Sequence, residues 1–387
     1  MGTPRHHLAR APHAPRGRRP ARGPQRARGR TRVLLTVAGL AGAAWVALRL
    51  APAGWIDGAW VRALLPAQAA VGAALAGAVP WSWSAVSLVA AMLALIAAAL
   101  AGRPRPWWAL LVATLALAGA SFEVAWGLGY RRAPLEARLA LPATAPTAGE
   151  LRGAIARVTA IAIGAAPADP STLDADAPWP GQAWDAAAAC VAAADAVASG
   201  RQAPVPLASA VRRVPAGALL AGGFGGFVGP WWREPHLDAA LPPAAALATG
   251  LHELTHGVGW AREAETDALG TLAGLACPDR EVRFAASVHA LALLRAELAR
   301  ATAGVAPAGV EPPVPAEVAR ADAALREVLA RYVRPRWRSA VGSTYDGYLR
   351  AQGLSAGLAD YERAGVLVAA ALGRCSDHPD APLCPGG

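Results

Sequence analysis

The chain contains no lysine, so all 37 of its basic residues are arginine. With Ala, Gly and Pro also abundant, that pattern reads as coding bias in a GC-rich genome rather than selection for guanidinium chemistry. Acidic residues are missing from positions 1–32, which hold ten of the arginines, so the remainder balances 27 basic against 27 acidic groups. The net charge of +10 is therefore a property of the tail. This excludes a basic surface spread over a folded domain, and no nucleic-acid partner is expected. Five prolines and no apolar periodicity predict that 1–32 is disordered. Near an anionic leaflet each Arg of such a tail adds about 1 kcal/mol of attraction. Cysteine is scarce, and none of the four forms a CxxC pair, which argues against cysteine-bound zinc. Only five tyrosines are present, and no internal repeat is found, which excludes a solenoid.

What is abundant is apolar sequence. Hydrophobic residues make up 55% and charged residues 17%, an oily composition for a soluble enzyme. Three runs are long enough to cross a bilayer: Val33 to Leu50, Ser82 to Gly102 and Trp107 to about Tyr130. Arg49 can snorkel to the interface, and Glu123 is the one ionisable residue of the third run. Ala53 to Pro80 carries Asp57, Arg62, Pro66 and Gln68 and reads as an interfacial helix rather than a fourth crossing. Trp81, Trp83, Trp107, Trp108 and Trp126 mark the span boundaries as an aromatic belt would. The Arg-rich tail and the connection 102–106, with Arg103 and Arg105, are expected in the cytoplasm. Three crossings then put everything after Arg132 outside it. No small-residue cleavage site follows the first span, so an uncleaved anchor in a lipid bilayer is expected. Domains are accordingly expected at 1–32 (tail), 33–132 (membrane) and 133–387 (extracytoplasmic). Cys190, Cys277, Cys375 and Cys384 all fall in the last, where at least one disulfide is expected, most plausibly through Cys375 or Cys384.

Inside that last segment stands His252-Glu253-Leu254-Thr255-His256, a HExxH motif. Positions i and i+4 of a helix share a face, so both imidazoles can reach one metal ion. Two neutral imidazoles, a carboxylate and an open water position make a catalytic zinc (Zn2+) shell, with the Glu inside the motif as general base. On a straight helix Glu263 would lie about 10 Å further along the axis, so the chain must turn. Gly257 and Gly259 allow that turn. A second helix beginning near Arg262 then brings Glu263 back as third ligand. Glu265 points about 200° away from it, and only one of the two can face the metal. Asp267 shares the face of Glu263 and is expected to partner a ligating His. For the donor that receives charge on a scissile carbonyl, Tyr361 is the candidate, with His289 and His236 behind it.

The remaining pattern is mostly α (α+β). Helical periodicity covers Gly149 to Ala165, Gly181 to Ser199, Pro243 to His256, Arg262 to Ala276, Asp279 to Thr302, Ala316 to Val333 and Ser355 to Leu372. Leu219 to Leu237 has the glycines and aromatics of a small hairpin or edge strand. Beside a metal site such a strand can hold an extended peptide by backbone pairing. Residues 303–315 read as a Pro-rich linker.

Three spans closed by Trp126-Gly127-Leu128-Gly129-Tyr130-Arg131, then HExxHxxGxxxExE, then Tyr345-Asp346-Gly347-Tyr348-Leu349 and Asp360-Tyr361, resemble the bacterial domain-of-unknown-function family 3810 over roughly 33–375. The resemblance implies a membrane-anchored, gluzincin-like zinc metallopeptidase. Glu263-x-x-x-Asp267 is also similar to a motif of CAAX prenyl proteases, which set the Glu much further from HExxH. Phe284-Ala285 stands where the family pattern favours Tyr-Ser. Two function classes follow. One is a zinc endopeptidase acting on an extracytoplasmic protein or peptide substrate. The other is a catalytically silent, zinc-stabilised binding or sensor membrane protein. An intramembrane protease fits less well, because the run before His252 is too short to span.

Overall fold

The computed structural model describes residues 23–100, 107–208, 210–303, 313–378 and 383–385. The tail up to residue 22, the 102–106 connection and most of the 303–315 linker lie outside the described residues. The architecture is helical with one small sheet, as the periodicity implies. Helix α1 (Gly23–Arg49) starts well before Val33, so 23–32 is helical where disorder is expected from composition. Next comes a continuous rod built of α2 (Ala53–Trp55), a wider π-helical stretch Ile56–Leu64, and α3 (Leu65–Ala78). Then follow α4 (Trp83–Leu100), α5 (Trp107–Ala125), α6 (Leu135–Arg138), α7 (Ala148–Ala165) and α8 (Ala183–Ser199). Strands β1 (Arg212–Val214), β2 (Gly226–Val228) and β3 (Pro235–Asp238) precede α9 (Pro243–Gly257), α10 (Glu263–Leu275) and α11 (Arg280–Ala301). The chain closes with α12 (Ala316–Tyr332), α13 (Pro335–Ala351) and α14 (Ala364–Asp377).

Among the described residues, three helices are long and apolar enough to cross a membrane: Thr31–Arg49, Ala53–Ala78 and Trp108–Ala125, with Trp83–Ala94 as a shorter apolar helix. The second of these differs from the expected set, because the rod satisfies length and composition despite Asp57 and Arg62. Its contacts show how it is used. The rod's 26 residues span about 39 Å, and it touches the following domain along that whole length. Asp57 pairs with Arg138 at one end, Gln68 Nε2 donates to the Pro230 carbonyl at 2.9 Å, and Arg212 donates to the Ala76 carbonyl at 2.7 Å at the other end. By contrast α1, α4 and α5 touch the domain by one end each. Arg49 donates to the Ala351 carbonyl at 2.8 Å, so it is held by protein rather than reaching into the interface. Glu123, buried near the end of α5, pairs with Arg131 and lies 3.6 Å from Arg49.

The main core is formed by α7, α8, α9, α10, α11 and α14, with α9 and α10 in its middle. Local signals define these helices. Thr147 and Glu150 make a reciprocal capping box at the start of α7, and Asp279 caps α11 by accepting from Val282 N at 3.0 Å. Two disulfides join Cys190 to Cys277 and Cys375 to Cys384, so the expected use of the last two is found, together with a second bridge from α8 to the loop after α10. The sheet has the order β1-β3-β2. β2 and β3 form the expected antiparallel pair, with Phe227 opposite His236. β1 pairs in parallel on the other side of β3, a strand too short for periodicity to mark.

Candidate metal centre

Helix α9 begins with Pro at its first position, where no N–H is needed, and carries the motif in its last two turns. It ends on a glycine turn: Gly259 has φ +92° and its N–H bonds the His256 carbonyl at 2.9 Å. A Cβ at Gly259 would meet Leu65 at 2.6 Å, so the rod packs directly on this turn. The reversal starts α10 at Glu263, an acidic residue in a first turn, which the helix dipole favours.

The expected trio meets. Ligand atoms of His252, His256 and Glu263 lie within 4.8 Å of one another and could hold a metal ion. Glu263 Oε2 is 3.2 Å from His252 Nε2 and 3.3 Å from His256 Nε2. The other ring nitrogens face away: His256 Nδ1 is 2.6 Å from the Trp260 carbonyl, and His252 Nδ1 is 3.4 Å from Asp267. With both rings neutral, three lone-pair donors face one point while outer partners hold the rings, an arrangement that suits a cation. Glu265 is turned away, as its register requires, and pairs with Arg262 at 2.8 Å.

Charge inside this buried cluster is redistributed. Burial works against the Glu263 carboxylate, yet the two imidazoles outweigh it and hold the group far below the usual carboxylate range. Asp267 behaves alike, with His289 Nε2 at 2.7 Å and His252 offsetting burial. His252 is desolvated, but its bonds to Asp267 and Glu263 raise it well above an ordinary histidine. Glu253 goes the other way: burial raises it, and the imidazoles offset only part of that. Its Oε2 is buried and has no hydrogen-bond partner among the described residues. An orphaned carboxylate oxygen on the turn that carries two ligands fits a centre built around a metal and a water.

A cavity of about 1040 Å³ opens over the trio. Tyr361 lines it from a 3-10 turn, Gly357–Arg363, rather than from the start of the last helix. Its ring stacks on His252 with centroids 6.4 Å apart and planes 7° apart. Burial, then the Glu263 charge, keeps its hydroxyl protonated well above the ordinary tyrosine range. Tyr345 is the residue that periodicity misses. It comes from α13, and its hydroxyl donates to Glu263 Oε1. In sequence, the grouping of Tyr345, Tyr348 and Tyr361 and the family-like segment Tyr345-Asp346-Gly347-Tyr348-Leu349 are the signals that point to it. His289 lines the cavity behind Asp267. His236 does not join the site: it stacks on Phe227 at 4.4 Å and bonds Ser82 Oγ at 2.8 Å. Phe284 and Ala285 are buried core residues.

The family model described as "Protein of unknown function (DUF3810)" matches residues 61–368. The chain belongs to that family. Its match covers the rod from residue 61 onward, the sheet, the His252/His256/Glu263 trio, Tyr345 and Tyr361, so the site is built from family sequence throughout. No curated protein and no solved structure matches the chain.

Proposed function

We propose that this DUF3810 protein is a membrane-anchored zinc metallopeptidase that hydrolyses peptide bonds of an extracytoplasmic protein or peptide. His252, His256 and Glu263 hold the Zn2+ ion in this reading, and the ion supplies Lewis-acid polarisation of the carbonyl and of a water. The observation that carries the reading is Glu253, a buried carboxylate with one unpartnered oxygen on the turn between the two ligating histidines. A site that merely braces the fold has no use for it. Glu253 takes a proton from the attacking water as its oxygen bonds to the carbonyl carbon. It then delivers that proton to the amine as the C–N bond breaks. The Tyr361 hydroxyl, kept protonated, donates a hydrogen bond to the carbonyl oxygen as charge develops there. Tyr345 orients Glu263.

Strand β2 provides a place for the substrate backbone. The Gly225 carbonyl accepts from Asp238 N–H at 2.9 Å, and Gly229 N–H donates to the Glu234 carbonyl at 3.0 Å. By the alternation of an antiparallel pair, Gly226 and Val228 therefore direct their N–H and C=O groups away from β3. An extended peptide can pair there. Gly226 is the close point, since a Cβ on it would stand 2.9 Å from Glu253 Oε1. An extracytoplasmic domain is supported by the arginine-rich tail, by two disulfides, and by three helices meeting the domain end-on.

The test compares two variants. Glu253→Gln should retain zinc like the wild type, measured as metal content of the purified full chain, and lose at least ~10²-fold in cleavage rate. His256→Ala should lose both metal and activity. Full function from Glu253→Gln would return the protein to the silent binding or sensor class.

A further inference from the structure

The metal-ligand trio is tied to the end of an apolar helix rather than held away from it. The run Trp108–Ala125 is long and apolar enough to cross a membrane, and the next residue, Trp126, has its ring 5.2 Å from the His256 ring. Arg233, buried and held at φ +53°, bonds both structures at once. Its guanidinium donates to the Ala125 carbonyl at 2.5 Å and to the His256 carbonyl at 3.1 Å. The loop leaving β2 is fastened to the same helices. Trp231 Nε1 bonds Ser121 Oγ of α5 at 3.3 Å, and Trp232 Nε1 bonds Ser87 Oγ of α4 at 2.9 Å. Ser87 is one turn into α4 and Ser121 one turn before the end of α5, about 5 Å of helix rise from each end, a distance on the scale of a headgroup layer. Phe122 and Trp126 of this seam line the same cavity as Glu253 and Phe227.

These links leave little room for the site to stand off the bilayer. A headgroup layer is only about 5–8 Å thick, and an extended chain advances about 3.3 Å per residue. A folded soluble protein would have to push a loop into that layer, past the exposed Trp231. A chain that emerges from the bilayer is already there. Resting on the peptidase reading above, we propose that the substrate is the membrane-proximal segment of a membrane-anchored polypeptide, cut within about five residues of where it leaves the bilayer. That segment adds to β2 at Gly226 and Val228 and turns apolar side chains to the wall formed by Phe122, Trp126 and Phe224.

All four native cysteines are paired, so one introduced cysteine gives a unique label on the full chain. A nitroxide at Phe227→Cys, in phosphatidylethanolamine/phosphatidylglycerol vesicles, reports the depth of β2 by its collisions with oxygen and with a nickel chelate. It should lie within about 8 Å of the phosphate plane, the thickness of the headgroup layer. A label in bulk water overturns the proposal and leaves the peptidase reading standing. In cells, new protein N-termini are compared between wild type and Glu253→Gln. Cuts that depend on Glu253 should concentrate beside spans or lipid anchors. Glu253-dependent cuts spread over soluble exported proteins overturn the proposal alone, whereas Glu253-dependent release of fatty acid from the vesicles in place of protein cuts overturns both it and the peptidase reading. No Glu253-dependent cut of any kind overturns the peptidase reading and this proposal with it.

Discussion

Two helices face each other across the cavity, and they are built in opposite ways. In α10 every residue from Glu263 to Leu275 is buried, polar groups included. In α13 only Leu349 is buried, although the helix carries Tyr345 and Tyr348 into the site. One wall is therefore part of the core and cannot move without unfolding it. The other is held by contacts of Tyr345 with Phe224 and of Tyr348 with Phe122 and Tyr130, by the Arg49 bond to the Ala351 carbonyl, and by the Tyr345 bond to Glu263. The contrast suggests a division of labour: α9 and α10 fix the ligands, and α13 adjusts them from the rim.

The largest test of this difference is on the buried wall. Glu263→Ala should cost metal affinity by orders of magnitude, while Glu265→Ala, two residues away and paired with Arg262, should keep the metal. Zinc retained during dialysis against a chelator separates them. If Glu265→Ala is the variant that empties, the helix register is wrong.

Packing offers the next contrast. A Cβ at Gly270 of α10 would fall 2.9 Å from both the Leu251 carbonyl and Thr255 Oγ1, whereas Gly347 of α13 has nothing within 4 Å. Gly270→Ala should destabilise by about 1–3 kcal/mol as an overpacked core does. Gly347→Ala should stabilise by roughly 0.5–1 kcal/mol, the helix preference of Ala over Gly. Denaturant melts of the two variants check this, and equal effects would erase the distinction between the walls.

Removing the Tyr345 hydroxyl isolates what α13 does for the metal. Tyr345→Phe should weaken zinc binding by about 10- to 100-fold, the usual effect of losing a partner to a ligand. It should leave the melting midpoint unchanged. A competition titration with a zinc indicator reads the first quantity, and unchanged affinity would reduce Tyr345 to a lining residue.

The smallest effect concerns how the domain grips α4. Glu234 is buried, but hydrogen bonds from Ser84 and Trp83 N–H groups outweigh that burial and lower its pKa. A depressed carboxylate contributes stability that is whole above its unfolded pKa, about 4.3, and fades as pH falls through the folded value. Glu234→Gln should therefore flatten the acid limb of the stability profile below about pH 4.3, with little change near neutrality. An unchanged acid limb would mean that the Glu234 carboxylate does not titrate with unfolding.

Much of the site could be read from sequence because its geometry is local. HExxH is one helical turn, Gly259 permits one reversal, and Glu263 follows within a second turn. Helix periodicity then separates Glu263 from Glu265 without any knowledge of the fold. The first and third apolar spans were legible for the same reason, since composition over one segment suffices, whereas the expected second span appears as the shorter apolar helix Trp83–Ala94. What sequence could not supply were contacts between segments far apart in the chain. Tyr345 meets Glu263 across 82 positions, and Arg233 joins Ala125 across 108. Helix α13 had no buried stripe to mark it. The rod at 53–78 shows the limit from the other side. Its composition suits either a crossing or a surface helix, and only the contacts from Asp57 to Ala76 lay it along the domain. The ligand trio was thus determined by spacing along the chain. Which tyrosine braces it, which cysteines pair and how close it lies to the end of α5 were decided by tertiary packing, because those depend on distances that no local pattern encodes.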